Sequence, residues 1–138
     1  MLLKDKVAVI TGGAGQNGLG FATARMMAEQ GARVVILDLA VADPQAAAAR
    51  LGAQHLGLVA DVTDKATCEA AAAQIKAAMG RIDILVNNAG ITRDATFRKL
   101  SYADWDAVLR VNLDSVFNVT RPFIDGMLDR GWGRIINI

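Results

Sequence analysis

The chain begins with a short apolar run, a glycine-rich loop and a helical pattern, in that order. Residues 7–10 are Val-Ala-Val-Ile, and residues 11–20 are Thr-Gly-Gly-Ala-Gly-Gln-Asn-Gly-Leu-Gly. Glycine has no Cβ, so it reaches positive φ and lets a ligand approach the backbone closely. A strand, such a loop and a helix N-terminus together direct backbone N–H groups at a pyrophosphate. Tight turns of other kinds also need glycine, so the loop favours this site only together with the pattern around it.

Apolar runs alternate with helical patterns along the whole chain. The predicted strands are residues 6–11, 33–38, 55–60, 82–87 and 134–138, and the predicted helices are residues 19–30, 44–51, 64–79 and 101–128. Alternating strands and helices imply right-handed crossovers and a parallel sheet covered on both faces. We predict an α/β fold, a doubly wound parallel sheet in three layers with the strand order 3-2-1-4-5. Ligands are expected at the carboxyl ends of strands 1 and 4, where the order reverses.

Local signals set the ends of the predicted helices. Gly31 and Gly80 follow helical patterns and are good C-cap residues. Asp43 and Ser101 stand where an N-cap side chain is expected. Pro122 cannot donate to the preceding turn, so it is expected to kink the long fourth helix or to restart it.

The composition suits one domain with a sheet buried on both faces, since 53% of the 138 residues are hydrophobic. The net charge of +1 is dispersed, so neither a nucleic acid nor a membrane surface is expected as a partner. Cys68 is the only cysteine, which excludes an intramolecular disulfide and favours a reducing compartment. No apolar run approaches the roughly 20 residues of a membrane span, and no His, Cys and carboxylate grouping has metal-ligand spacing. We expect a soluble cytoplasmic protein without a metal site.

Asp38 ends the second predicted strand, 20 residues beyond Gly18. A carboxylate at that position can accept hydrogen bonds from the adenosine ribose hydroxyls of a dinucleotide. It also repels a 2′-phosphate, and no arginine directly follows it or lies in residues 11–20 to offset the repulsion. NAD is therefore favoured over NADP. The alternative is an aspartate that only caps a strand end or a turn.

Two further loops follow predicted strands. Asp61-Val62 closes the third strand, where a carboxylate can accept from the adenine amino group or cap the turn into the next helix. Asn88-Ala89-Gly90 follows the fourth strand, where the glycine lets the chain pass close to a nicotinamide ribose. Asn-Ala-Gly is also an ordinary loop sequence.

Asn112 falls on an apolar stripe of the fourth predicted helix, formed by Trp105, Val108, Leu109, Val116, Val119 and Phe123. We expect its amide to be buried and hydrogen-bonded, and we favour a functional role. The alternatives are a capped backbone carbonyl and a bound water. Tyr102 and His55, the only residues of their types, are expected to be structural, because no lysine lies four residues after Tyr102 and His55 starts a strand far from the site.

Together these residues resemble the short-chain dehydrogenase/reductase family. Thr11, Gly12, Gly18 and Gly20 resemble its Thr-Gly-x-x-x-Gly-x-Gly motif, Asp61-Val62 and Asn88-Ala89-Gly90 its adenine and central-strand motifs, and Asn112 the asparagine of its Asn-Ser-Tyr-Lys catalytic set. Residues 91–138 resemble the 3-oxoacyl-ACP reductases and acetoacetyl-CoA reductases within the family.

The resemblance implies a Rossmann-like domain and hydride transfer between NAD(P) and a 3-oxoacyl thioester or a similar ketone and secondary alcohol pair. It implies a small-molecule or acyl-thioester substrate, a place in fatty acid metabolism, and a homo-oligomer in the full-length form. Asn112 would hold a water of the catalytic proton relay. The cofactor-binding residues it implies are Gly12, Gly18, Leu19, Gly20, Asp38, Asp61, Val62, Asn88, Ala89 and Gly90. Similar reductases commonly use NADPH, whereas Asp38 favours NAD.

Two departures from the family pattern matter. Five residues separate Gly12 from Gly18 where the family usually has three, so we infer a two-residue insertion; Gly13, Gly15 and Gly18 alternatively form a literal Gly-x-Gly-x-x-Gly. The family's catalytic serine and Tyr-x-x-x-Lys pair are absent, since the chain stops at Ile138 on the fifth predicted strand. We therefore expect residues 1–138 to be an incomplete domain that binds cofactor without turnover. The alternative is a non-catalytic nucleotide-sensing or interaction module that recruits a partner through the exposed fifth strand.

Overall fold

Five parallel strands form one sheet in the computed structural model, which describes residues 1–138, and their order is β3-β2-β1-β4-β5. The strands are β1 (Val7–Thr11), β2 (Arg33–Asp38), β3 (Leu56–Val59), β4 (Ile84–Asn87) and β5 (Arg134–Asn137). The helices are α1 (Leu19–Glu29), α2 (Pro44–Ala49), α3 (Lys65–Met79), α4 (Tyr102–Leu109) and α5 (Ser115–Arg130). The predicted class and strand order are confirmed, although every strand except β2 is shorter than predicted.

The core lies in two layers because side chains alternate across the sheet. In β1, Val7 and Val9 point to one face, whereas Ala8 and Ile10 point to the other. The first face packs on α3 and α5, and the second packs on α1 and α2. All five residues of β1 are buried, as expected for the central strand of a sheet covered on both sides.

The start of α2 lies directly on β3. A Cβ built on Gly57 would overlap the backbone carbonyl of Pro44, so only glycine permits this approach. The short alanine-rich helix packs here through Ala47 and Ala48, which are buried. This packing fixes the connection after β2, which forms one side of the cleft described below.

The predicted helix ends are confirmed at three positions. The Asp43 side chain accepts a hydrogen bond from the Ala46 N–H, and the Ser101 side chain accepts one from the Asp104 N–H. Gly80 ends α3 with φ of 80°. None of the helices is long and apolar enough to cross a membrane.

The predicted fourth helix, residues 101–128, is wrong in one respect. A π-helical turn, Arg110–Asp114, separates α4 from α5, which continues to Arg130. Pro122 lies inside α5 and does not end it, and its carbonyl accepts a hydrogen bond of 2.8 Å from the Lys76 Nζ. The interruption therefore ends at Asp114, before Pro122, the position at which it was expected.

The amino ends of the strands are held by a buried carboxylate. Asp83 is fully buried, and its Oδ2 accepts from the Val7 N–H at 2.9 Å. Its Oδ1 accepts from the Arg81 Nε at 2.9 Å, and Arg130 donates to the neighbouring Ile82 carbonyl. These contacts join β1, β4 and the end of α5 on the side of the sheet opposite the cleft.

Candidate functional site

A cleft of about 350 Å³ lies at the carboxyl ends of the strands, where the strand order reverses between β1 and β4. Of the eleven site residues predicted from the sequence, the cleft is lined by Gly12, Asp38, Asp61, Val62, Asn88, Ala89 and Gly90. The other four, Gly18, Leu19, Gly20 and Asn112, lie outside its lining. The lining also includes Gly15 of the alternative glycine pattern and residues that were not predicted, among them Leu39, Ala42, Ile91 and Val111.

The floor of the cleft is built by reciprocal hydrogen bonds between the ends of β1 and β4. Thr11 is 2% exposed, and its Oγ1 accepts from the N–H groups of Asn88 and Ala89, each at 3.0 Å. The Asn88 Nδ2 donates to the carbonyls of Thr11 and Gly12, each at 3.1 Å. Four bonds therefore lock the two strand ends at the point where the cleft opens.

Two glycines are required by close packing. Gly12 has φ of +64°, and a Cβ there would lie 2.9 Å from the Ala89 Cα. A Cβ on Gly20 would lie 2.5 Å from the Asn88 Nδ2 and 2.7 Å from the Gly12 carbonyl oxygen. Gly20 therefore serves to bring the first turn of α1 against the strand ends.

The start of α1 has no side-chain cap, and its N-cap and first residue are exposed. Gly18 is the N-cap, and a Cβ on it would approach only the Gly15 carbonyl oxygen, at 3.4 Å. Leu19 is 72% exposed. The first N–H groups of a helix have no intrahelical acceptor, so this end of α1 presents free donors with a positive dipole end.

The loop between Gly12 and Gly18 contains a tight turn. The Gly18 N–H donates to the Gly15 carbonyl at 3.0 Å, which closes a turn around Gln16 and Asn17. Ala14, just before this turn, is buried, and its N–H donates to the Asp38 Oδ2 at 3.0 Å. The five residues between Gly12 and Gly18 thus form an anchored segment followed by an exposed turn.

Asp38 uses half of its accepting capacity within the protein. Its Oδ2 accepts from the Ala14 N–H, and its Oδ1 accepts from the Leu39 N–H at 2.8 Å. A carboxylate offers about four lone-pair positions, so about two remain for other donors. Asp38 forms no ion pair with a lysine or an arginine.

One oxygen of the Asp61 carboxylate caps the turn that leads into α3, which was the alternative to a contact with adenine. Its Oδ1 accepts from the Thr63 N–H at 2.9 Å and from the Thr63 Oγ1 at 2.7 Å. Its exposed carboxylate also contributes to the cleft lining, and no donor within the protein contacts Oδ2.

Burial and the charges of Asp61, Asp64 and Glu69 raise the pKa of the nearby Cys68 thiol to about 11, so this cysteine stays a protonated, unreactive core residue.

Asn112 is exposed, and the prediction that its amide is buried is wrong. It lies in the π turn, where its Oδ1 accepts from the Ile91 N–H at 2.8 Å and its Nδ2 donates to the Ile91 carbonyl at 3.0 Å. The π turn adds a residue to the helical repeat, so the buried stripe of α5 does not continue into α4. Trp105 and Leu109, expected on the same stripe, are likewise exposed.

Tyr102 and His55 lie outside the cleft, as predicted. Tyr102 is exposed at the start of α4. His55 is buried just before β3, where its Nδ1 accepts from the Val34 N–H at 3.0 Å. Burial lowers the pKa of the imidazole, and its Nε2 has no partner. No group of three or more His, Cys, Asp and Glu side chains could hold a metal ion.

Comparisons with known proteins agree with this architecture. The family profile described as short chain dehydrogenase matches residues 6–138. The acetoacetyl-CoA reductase of Cupriavidus necator is 42% identical over 144 residues, which cover 99% of this chain and 56% of that protein. The 3-oxoacyl-[acyl-carrier-protein] reductase FabG of Escherichia coli is 38% identical, with 100% of this chain and 56% of that protein covered. The D-threitol dehydrogenase of Mycolicibacterium smegmatis is 42% identical, with 99% and 53% covered. The chain thus spans about half the length of the curated relatives it matches, and it belongs to the short-chain dehydrogenase/reductase family.

Proposed function

We propose that residues 1–138 form one NAD(P)-binding domain that takes NAD in preference to NADP. The observation that carries the proposal is Asp38, which lies in the cleft with about two free lone-pair positions and no ion pair. Two ribose hydroxyls match two acceptors, whereas a 2′-phosphate would bring negative charge against the carboxylate. No lysine or arginine lines the cleft to offset that repulsion.

The pyrophosphate is assigned to the glycine loop and the start of α1. A Cβ on Gly15 would meet nothing within 4 Å and one on Gly18 would approach only the Gly15 carbonyl oxygen, so the backbone of this part of the loop is open to a ligand. The N–H groups that follow Gly18 have no side-chain cap and lie at the positive end of the helix dipole. Both features fit a group that carries two negative charges and many acceptor oxygens.

The adenine is assigned to Asp61 and Val62, and the nicotinamide ribose to Asn88, Ala89 and Gly90. The Asp61 Oδ2 is free to accept from the adenine amino group, since Thr63 occupies only Oδ1. At the other end of the cleft, Thr11 fixes the N–H groups of Asn88 and Ala89. Asn112 acts on the same end, because its amide holds both backbone groups of Ile91 beside Gly90.

The whole protein is proposed to be an oxidoreductase acting on a 3-oxoacyl thioester or a similar ketone and secondary alcohol pair. Two of the relatives are named as acetoacetyl-CoA and 3-oxoacyl-carrier-protein reductases, and a third as a D-threitol dehydrogenase. The nicotinamide would supply the hydride, while the residues of this chain bind and orient the cofactor. Asn112 is proposed to hold a water of the proton relay beside the reacting carbonyl.

Residues 1–138 are proposed to bind cofactor without turnover. Their one tyrosine, Tyr102, is followed four residues later by Asp106, so the chain contains no Tyr-x-x-x-Lys. Tyr102 lies outside the cleft, and no tyrosine, lysine, histidine or serine lines it. The full-length form is proposed to be a homo-oligomer through α4 and α5, since Leu113 of the π turn between them and Phe117 of α5 are exposed.

A nucleotide-sensing or interaction module is the second candidate. The observation that favours it is β5, an edge strand on which every residue is exposed, including Ile135 and Ile136. An unpaired apolar edge can add a strand from a partner. In that case nucleotide binding and partner binding would be coupled, without a reaction.

The decisive experiment is a calorimetric titration of the folded 138-residue chain with NADH and with NADPH. We expect saturable binding of NADH and binding of NADPH weaker by about tenfold or more, from like-charge repulsion at Asp38. Absence of saturable NADH binding would contradict the proposal. Acetoacetyl-CoA added to the NADH complex is expected to cause no oxidation, and measurable turnover would refute the statement about this chain alone.

A further inference from the structure

The Asp38 carboxylate contacts the inserted glycine loop as well as facing the cleft. Its Oδ2 accepts from the Ala14 N–H, 24 residues away in the chain. Among residues 13–17, this is the one hydrogen bond that ties the loop to another element. The remaining bond, from the Gly18 N–H to the Gly15 carbonyl, lies within the loop.

The burial of Ala14 makes this bond important. Ala14 is 7% exposed, and the Asp38 carboxylate is the one acceptor within the protein for its N–H. The preceding Gly13 lies against the sheet, where a Cβ would be 3.2 Å from Ile10 and 3.3 Å from Ile36. The following turn is exposed and makes no contact of this kind. Ala14 is therefore the last fixed point before the turn that leads into α1.

We propose that Asp38 is a positioning residue for the extended glycine loop, in addition to its contact with the ribose. This inference rests on the proposed dinucleotide site. By holding the Ala14 N–H, the carboxylate sets the path of residues 14–18 and hence the direction of the free N–H groups at the start of α1. Binding of the pyrophosphate thus depends on Asp38, although the carboxylate does not touch the phosphates.

A consequence concerns cofactor preference. Removing the acid relieves repulsion of a 2′-phosphate, but it also releases the loop on which both NAD and NADP depend. The gain in NADP affinity from Asp38→Ala is therefore smaller than electrostatics alone predicts. The preference for NAD over NADP and the ordering of the glycine loop therefore both depend on the Asp38 side chain.

The test uses NADH and a reduced dinucleotide whose adenosine ribose lacks the 2′ and 3′ hydroxyls. A residue that acts only on the ribose would not affect binding of this dideoxy analogue. We expect Asp38→Ala to weaken binding of the analogue by about tenfold, the equivalent of one lost hydrogen bond. Equal affinity of wild type and Asp38→Ala for the analogue would overturn the proposal.

Asp64→Ala is the matched control. Asp64 also accepts two backbone N–H groups, those of Ala66 and Thr67, but at the start of α3 and outside the cleft lining. The Asp64→Ala variant is expected to bind NADH and the dideoxy analogue with the affinities of wild type. If Asp64→Ala weakened binding of the analogue as much as Asp38→Ala does, the effect would be general destabilisation and the proposal would fail.

A second measurement needs no cofactor. Amide hydrogen exchange of the unliganded chain, followed by NMR, reports directly on the Ala14 N–H. We expect exchange to accelerate by about tenfold or more in Asp38→Ala and to stay unchanged in Asp64→Ala. Unchanged protection in Asp38→Ala would overturn the proposal. If wild type failed to bind NADH, the proposed function would fall while this exchange result still decided the role of Asp38 in the loop.

Asp38→Asn is a second variant in case the alanine variant does not fold. Asparagine keeps the size of the side chain but has one acceptor oxygen, so it can serve either the Ala14 or the Leu39 N–H. Exchange at one of these two amides is expected to accelerate. Wild-type exchange at both, with wild-type affinity for the analogue, would contradict the positioning role.

Discussion

The hydroxyl of Thr11 is expected to contribute a large part of the free energy of unfolding of this domain. Its Oγ1 accepts from two backbone N–H groups, those of Asn88 and Ala89, in a place that is 2% exposed. Thr11→Val keeps the shape of the side chain and removes the acceptor, so no cavity forms. Each N–H left without a partner costs about 1–3 kcal/mol, and we expect a total loss of about 2–4 kcal/mol. Domains of this size are stable by about 5–15 kcal/mol.

Urea denaturation followed by circular dichroism measures this loss. With a slope of about 2 kcal/mol per molar urea, the midpoint should fall by about 1–2 M. Thr11→Ser is the matched control, because it keeps the oxygen and loses only a methyl group, at a cost of about 1 kcal/mol. A valine variant within about 0.5 kcal/mol of wild type, or one more stable than the serine variant, would refute the reasoning.

Three further outcomes are expected. Gly57→Ala should destabilise by about 3 kcal/mol or more, because its Cβ would overlap the backbone at the start of α2; Gly126→Ala, which meets only the tip of an arginine at 3.2 Å, should be neutral or stabilising in a thermal melt. Burial lowers the pKa of His55 from 6.5, so the unfolded chain binds more protons, and the free energy of unfolding should decrease as pH falls below about 6.5. His55→Gln should remove this dependence in urea titrations between about pH 5 and 8, and an unchanged slope would speak against it. Asp38→Ala should weaken NADH binding and reduce the discrimination against NADPH in calorimetry, whereas an unchanged preference would count against the ribose assignment.

The strand order and the location of the cleft were predictable from the sequence because each strand is an apolar run of its own. Such runs are required of strands that are buried on both faces, and glycines or polar residues end each of them. Asp38, Asp61 and Asn88 were predictable for the same reason, since polar residues at the carboxyl ends of parallel strands meet at one edge of the sheet.

The parts that escaped prediction depend on contacts between distant residues. Helical periodicity was extrapolated through Asn112, but the π turn that contains it has no local signal in the sequence. The turn accompanies the pair of hydrogen bonds between Asn112 and Ile91, 21 residues apart. The roles of Thr11 and Ala14 likewise depend on partners 77 and 24 residues away in the chain.

Asp83 and Thr11 act at opposite ends of the same two strands. One takes the Val7 N–H where β1 begins, and the other takes the N–H groups that follow β4. The central pair of strands is held by hydrogen bonds at both ends, so these strands are not expected to separate when a dinucleotide binds. Movement that lets a dinucleotide enter or leave is expected instead at the rim of the cleft, above all in residues 13–17, which one hydrogen bond to Asp38 ties to the rest of the protein.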